Sequence, residues 1–469
     1  MSKLVSSIRE AVINCGIKDG MTISFHHHFR EGDYVLNQVM DEIAKLNIKD
    51  LVLFPSSLGK VHEPLIDHIK AGVVAEIHTS GLRGQLAEFI SDGHLAKPIV
   101  IRSHGGRARV ISNGEMKIDI AFLAVPKSDI YGNASGKGEK TQCGSLGYAM
   151  VDAEFADKVI LITDDIAEFP NMPASITQEY VNYVVQVDEI GDPAGIASGA
   201  TRYTKNPKEL KIAEATARVI TNLPYYKEGF SFQTGSGGAS LAVTRYLKEA
   251  MKKDSVKAAF ALGGITQPMV ELLEDNQIGM LFDVQSFDLV AAESIVKNTK
   301  HFEISASQYA NPEMKGCRAE QLDYVILSAL EIDKSFNVNV MTGSDGVIMG
   351  ASGGHCDTAA SAKVTIVVAP LYRGRLATVV ERVTTIITPG NTVDVFVTER
   401  GIAVNPLRQD LIDQLKDKGF NLVTMDALYE EVTQLLGKPE PIAFEERVVA
   451  KIEYRDGTII DTIRQRKRS

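Results

Sequence analysis

Ile118 to Asn133 reads IDIAFLAVPKSDIYGN, and Leu322 to Asn339 reads LDYVILSALEIDKSFNVN. Laid over one another without a gap, the two segments place Asp119 on Asp323 and Asp129 on Asp333, around an apolar run of the length a buried strand needs. Two more pairs follow in the same order: MTISFHHHFREGD (21–33) with FSFQTGSGGAS (230–240), and GVVAEIHTSGL (72–82) with IGMLFDVQSF (278–287). The period is far beyond the roughly 20–50 residues of a solenoid, so the chain reads as one α/β unit duplicated.

Working outward, MTISF, DLVLF, GVVAEI, PIVIRS, IDIAFLAV and KVILITDD are unbroken apolar runs separated by helical segments such as YVLNQVMDEIAKL, PLIDHIKA and LAEFI. Such runs mark strands buried on both faces, hence a mostly parallel sheet between helices. The expected fold is α/β, with two related open, mostly parallel sheets in tandem. Ligands of such sheets sit beyond the carboxyl ends of the strands, where HHHFREGD, PSSLGKVHE, HTSGLRGQ and the loop HGGR fall. Val5, Ile8 and Val12, at helical spacing, predict an opening helix stopped by Gly16. VNYVVQV reads as a strand, and GDPAGIASGATRYTKN after it as a connection. Asn206 and Pro207 then supply an N-cap and first-turn proline for PKELKIAEATARVI. The expected domains are residues 1–205 and 206–469, the second ending in the hairpin VVAKIEYRDGTIIDTI with DG at its turn.

The length of 469 residues exceeds what one core usually supports, and 44% apolar with 23% charged residues is ordinary for a soluble globular protein. A net charge of −10 argues against a nucleic-acid partner, and the basic run RQRKRS reads as a solvated end. Cys15, Cys143, Cys317 and Cys356 lie far apart without a CxxC pair, which suggests neither zinc nor disulfides. No run has the length of a membrane span, and the N-terminus has charge and helical periodicity in place of a signal peptide's apolar core. The expected location is the cytoplasm, with no membrane partner.

The densest polar cluster is the glycine-rich Met341–Ala360, MTGSDGVIMGASGGHCDTAA. Its glycines allow backbone N–H groups to approach a ligand closely. Cys356 beside His355 raises a thiolate nucleophile, which ranks below a packing or substrate-contact role because adjacency in sequence does not place side chains together. In His26–His28, alternation sends His27 to the face opposite His26 and His28, and no ligand spacing is present, so no metal is expected. Hydrogen bonding to an anion is the functional reading of that run. TSGLRG (79–84) and SHGGR (103–107) each carry an arginine, whose planar fork binds carboxylates bidentately. Two such loops on successive units suit an acid with several carboxylates. GSGGAS (235–240) follows a strand and opens a helix, a place for phosphate or another anion, although it is not GxGxxG. No GxSxG elbow is present.

These residues resemble the alpha subunit of bacterial citrate lyase, the citrate:acetyl-carrier-protein transferase. The likeness runs along essentially the whole chain and rests on GMTISFHHHFREGDYV, IHTSGLRGQLAE, RSHGGR, CGSLGYAMVDA, KEGFSFQTGSGGASLAVTR, FALGGIT, LFDVQSFD, LSALEIDKSFNVNVMTGSDGVIMGASGGHCDTA and VTERGIAVNP. More distantly the duplicated unit is similar to the CoA-transferase fold. Many CoA-transferases form an anhydride on a glutamate after the second strand of their second half; here that stretch reads AFALGGIT, with Gly263 and Gly264. The resemblance therefore implies transfer without a covalent enzyme intermediate: acetyl-S-carrier plus citrate gives citryl-S-carrier plus acetate. It implies no tightly bound cofactor, a phosphoribosyl-dephospho-CoA arm on an acyl carrier (gamma) subunit as the thiol, acetyl-CoA as a mimic, and a beta subunit that cleaves the citryl thioester. An oligomer within that larger complex is expected. Loop position and chemistry then assign Arg83, His104 and Arg107, with His26 as a weaker addition, to the acid. Backbone groups at Gly263, Gly264, Gly346 and Gly354 are assigned to oxyanions, and Gly235, Gly237, Gly238 and Ser344 to the carrier arm. The alternatives are a citramalate lyase alpha subunit, a CoA-transferase with Glu331 as covalent carboxylate, and a non-catalytic metabolite-sensing subunit.

Overall fold

In the computed structural model, residues 2–197, 204–235 and 237–467 are described. Part of the expected connection, Ser236 of GSGGAS and the last two residues of the basic tail lie outside them.

Two sheets carry the molecule. The core of the first runs, edge to edge, through Tyr183–Gln186, Lys158–Thr163, Ile120–Ala124, Thr22–Phe25, Leu51–Pro55, Val74–Thr79 and Ile99–Arg102, all parallel. The second repeats that order with Val395–Thr398, Val364–Val368, Tyr324–Ser328, Phe230–Thr234, Ala258–Ile265, Ile278–Ser286 and His301–Glu303. The duplicated aspartates do duplicated work. Asp119 accepts the Thr22 N–H at 2.8 Å and Asp323 the Ser231 N–H at 2.9 Å, each fixing the start of the neighbouring strand. Asp129 accepts N–H groups from Tyr131, Gly132 and Asn133, and Asp333 those from Ser335 and Asn337, each closing a tight turn.

Three expectations change. Leu4–Val5 is a short edge strand, and the opening helix is Ile8–Asn14, because Ser7 caps it by accepting the Glu10 N–H. HGGR is the first turn of the helix His104–Ser112, with Ser103 as cap accepting from Gly106, and not a loop. The terminal hairpin, Phe444–Glu453 with Ile459–Arg466, belongs to the first sheet: its first strand runs parallel to Ile99–Arg102. Arg102 holds Glu453 bidentately at 2.7 and 2.8 Å, and Val449, Ala450, Ile452 and Ile463 are buried. The hairpin thus covers a sheet edge that would otherwise offer unpaired backbone groups. The helix Pro207–Thr221 starts as expected, with Asn206 accepting from Lys208.

The two halves pack on one another through the helix Gly147–Phe155. Phe260, Leu262, Phe282 and Val284 of the second share one continuous core with Leu146 and Tyr148 of the first half. At about 1.5–3 kcal/mol for each large apolar side chain fully buried, this contact holds the strand ends of both halves in a fixed relation.

Candidate active site

The carboxyl ends of the two sheets face each other across a cavity of about 450 Å³. One wall is first-half side chains: His27 and Arg30 after Thr22–Phe25, Arg83 after Val74–Thr79, and His104 after Ile99–Arg102, with Tyr148 between them. The other comes from the second half and combines glycines, Gly235, Gly237, Gly264 and those of the segment 350–354, with the side chains of Gln233, Tyr309, His355 and Arg373.

Main-chain hydrogen bonds stitch the walls together. Leu82 N–H donates to Gly350 O at 3.1 Å, Ser352 N–H to Ser80 O at 2.8 Å, and His104 N–H to Gly353 O at 2.8 Å. A Cβ on Gly81 would lie 2.3 Å from the Ala351 Cβ, so only glycine admits this approach. Below the seam, Asp357 accepts from Ser103 Oγ at 2.7 Å and Gly105 N–H at 2.8 Å, which joins the helix His104–Ser112 to the glycine-rich stretch.

Among the described residues three arginines, Arg30, Arg83 and Arg373, line the cavity, and no Asp or Glu does. Arg30 lies 5.0 Å over the Phe287 ring, and Arg373 donates to Ala329 O at 2.9 Å. Burial, and for Arg30 also the neighbouring Arg83, draws both first-half arginines below their ordinary pKa. Cations held this way without a carboxylate in the cleft favour an anionic ligand. The imidazoles are neutral: burial, then the proximity of His104 and Arg30, holds His27 well below its ordinary value, and burial, then Arg107, takes His104 to about 3. His27 Nδ1 meets Ser56 Oγ at 2.5 Å, and Tyr148 stacks on His27 and tilts against His104.

Of the residues assigned from sequence, Arg83, His104, Gly235, Gly237, Gly264 and Gly354 line the cleft. His26 does not: it is buried against His28, their rings 4.1 Å apart, and His27 is the member of the triplet that faces the cavity. Arg107 is also corrected, because as part of a helix it turns inward and is consumed by Asp152 at 2.6 and 2.8 Å, both side chains buried. Gly263 sits behind the cleft under Gln233, and Gly238 begins the helix beyond it. Gly346 packs on Phe444 of the hairpin, and Ser344 is exposed in the same turn, so neither reaches the site.

Cys356 is buried, lies off the cleft, and burial pushes its thiol up, the reverse of an activated thiolate. Its neighbour His355 lines the cavity but spends both ring nitrogens, on Thr388 Oγ1 at 2.6 Å and Ser328 O at 2.9 Å. Glu331 is tied to Asn339 and Thr384 away from the cleft. Sequence reasoning missed Arg30, Tyr148, Gln233, Tyr309 and Arg373. Arg30 and Gln233 carry a signal, since both lie at strand ends next to polar loops, HHHFREGD and GSGGAS; Tyr148, Tyr309 and Arg373 lie on segments that only folding brings in.

Two facing, duplicated parallel sheets with a cationic cleft at their carboxyl ends define an enzyme subunit of CoA-transferase-like α/β architecture. The same fold, at identities that speak for fold alone, is seen in the alpha subunit of a malonate decarboxylase from Acinetobacter baumannii (TM-score 0.69, 15% identity, 94% of each chain) and in RipA from Yersinia pestis (TM-score 0.62, 17% identity, 89% of this chain and 98% of that one). The model of the family "citrate lyase, alpha subunit (CitF)" matches residues 1–466, and the chain belongs to that family. It is 57% identical over 465 residues to the citrate lyase alpha chain of Haemophilus influenzae, covering 99% of this chain and 93% of that one. It is 55% identical to that of Escherichia coli, covering 99% and 91%. A citrate lyase alpha subunit structure from Streptococcus mutans in complex with citrate superposes at a TM-score of 0.98, with 59% identity over 100% of this chain and 92% of that one. Among the described residues no group of three His, Cys, Asp or Glu could hold a metal, and no helix is long and apolar enough to cross a membrane.

Proposed function

We propose that this cleft exchanges acyl groups on a thiol: acetyl-S-carrier plus citrate gives citryl-S-carrier plus acetate. The observation that carries it is a cavity that, among the described residues, is lined by three arginines and no carboxylate. Arginines recognise a polycarboxylate, and a wall without Asp or Glu leaves the acid itself as the nucleophile. A citrate carboxylate attacks the acetyl thioester and expels the thiolate, and the thiolate then attacks the acid's carbonyl in the mixed anhydride and expels acetate. Arg30 and Arg83 hold the acid, and neutral His27 and His104 offer hydrogen bonds at its reacting end. Gly235, Gly237 and Arg373 take the thioester arm. The chain's work is orientation and hydrogen bonding to developing charge.

The thiol is the phosphoribosyl-dephospho-CoA arm of an acyl carrier subunit, and a beta subunit consumes the citryl thioester, in a cytoplasmic complex. The shared name of the relatives and the citrate-bound Streptococcus mutans structure support this reading. The test is transfer from acetyl-CoA, as carrier mimic, to citrate and to citramalate, with hydroxylamine added in parallel. Citrate-dependent acetate release without enzyme modification is expected. Preference for citramalate would move the chain to that lyase, a modified Glu331 peptide would restore the covalent route, and release with neither acid would remove the assignment.

A further inference from the structure

Tyr309 comes from the second half, on the helix Ala306–Ala310, whose start is fixed by Ser305 and Gln308 capping one another. That helix lies against His104–Ser112 of the first half so closely that a Cβ on Gly105 would sit 2.1 Å from the Ala310 carbonyl oxygen. The phenol is thereby carried to the cleft, where it is 3% exposed beside Gln233. Gln233 Nε2 donates to the Tyr309 hydroxyl at 2.9 Å, and the phenol's own proton has no acceptor among the described residues. The other amide atom, Gln233 Oε1, is buried without a partner. Buried phenols and amides ordinarily satisfy their hydrogen bonds, and whichever way the amide is turned this pair leaves one buried polar group unmet at the cavity, which marks the place of a ligand atom. Glycines keep the space open: a Cβ on Gly354 would lie 2.3 Å from the Tyr309 hydroxyl, and one on Gly263, at φ +107, 2.7 Å from Gln233 Cδ.

Resting on the acyl-exchange reading of this cleft, we propose that Tyr309 is a catalytic hydrogen-bond donor to the oxyanion of the tetrahedral intermediates, with Gln233 as the positioning residue that aims it. In the first step a carboxylate oxygen of the acid bonds to the acetyl carbonyl carbon, and the C=O π pair moves onto oxygen, where the Tyr309 O–H meets it. Return of that pair breaks the C–S bond and releases the thiolate, leaving the mixed anhydride. In the second step the thiolate sulfur bonds to the acid's carbonyl carbon, the new alkoxide takes the same place, and its collapse breaks the C–O bond to acetate. The phenol keeps its proton throughout, since burial holds it above its ordinary range. The Gln233 N–H on the phenol oxygen polarises the O–H and makes it a better donor.

The test is Tyr309→Phe in the full-length chain, assayed with acetyl-CoA and citrate. Losing one oxyanion donor removes about 10²–10³ in turnover, so kcat falls by that factor while KM for citrate stays within about threefold. The melting temperature, measured alongside, is expected to hold because phenylalanine fills the same volume. Gln233→Met, which leaves the phenol in place but unaimed, costs kcat about tenfold. A Tyr309→Phe protein with kcat within about threefold of wild type, or with a loss confined to KM, overturns the assignment. A wild-type chain that transfers to neither acid instead removes the reaction on which it rests.

Discussion

The two copies of one α/β unit have diverged at their carboxyl strand ends in opposite directions. After Thr22–Phe25, Val74–Thr79 and Ile99–Arg102 the first copy presents side chains, Arg30, Arg83 and His104. After Phe230–Thr234, the match of Thr22–Phe25, the second presents Gly235 and Gly237, and the end of Ala258–Ile265, the match of Leu51–Pro55, presents Gly264. A duplicated fold supplies two equivalent rims facing each other, and specialising one for charge and the other for close backbone approach makes a site neither copy has alone. That division can be broken one wall at a time.

Removing both first-wall charges with Arg30→Gln and Arg83→Gln has the largest expected effect. At about 1.5–3 kcal/mol for each charged hydrogen bond, kcat/KM for citrate falls by about 10²–10⁴, while acetyl-CoA binding, measured by calorimetry, is retained. Loss of thioester binding to the same extent would sink the division of labour.

Buried groups in and behind both walls also answer acid. His26 and His104 in the first half and His355 in the second are held at about 4, 3 and 4, with burial as the leading cause. Unfolded they titrate near 6.5, so below that pH the unfolded chain takes up protons that the folded one does not, and stability falls. Asp357 has the opposite sign: burial raises it to about 6, so its share is fully present below its unfolded value and is lost as pH rises through 6. With His27 and His28 held low by burial in the same way, the histidines outweigh Asp357 and stability falls as pH drops from 7 to 5. Denaturant melts between pH 7 and pH 5 check this, and a flat profile would contradict the buried neutral imidazoles.

On the backbone wall, Gly264→Ala puts a Cβ 2.4 Å from the Phe287 ring, and that ring carries Arg30. Turnover is expected to fall by about 10–10², consistent with displacement of a positioned group, with the fold kept by circular dichroism. The smallest effect belongs to Cys356→Ala. It removes one buried thiol for about 1 kcal/mol of stability and leaves transfer near wild type; near-complete loss of transfer in a folded protein would restore the nucleophile.

Much of this molecule was legible before folding. Unbroken apolar runs have one reading when helices separate them, and the gapless pairing of Asp119 with Asp323 and Asp129 with Asp333 fixed the duplication, because each aspartate works on backbone within its own unit. Arg83 and His104 were found for the same reason: a strand end is a local feature. The error at Arg107 is local as well. HGGR read as a loop left Arg107 free to point anywhere, whereas on a helix three residues past His104 it turns towards Asp152.

The sequence by itself therefore determined the order of strands and helices, the repeat, and the loops from which a site had to come, since these follow from periodicity and short-range hydrogen bonding. Only the tertiary structure decided that His27 and not His26 faces the cavity, that the C-terminal hairpin closes the first sheet, and that Tyr309 meets Gln233 at the seam. Those outcomes depend on which face of each element another, distant in the chain, comes to cover, and local patterning does not encode that choice.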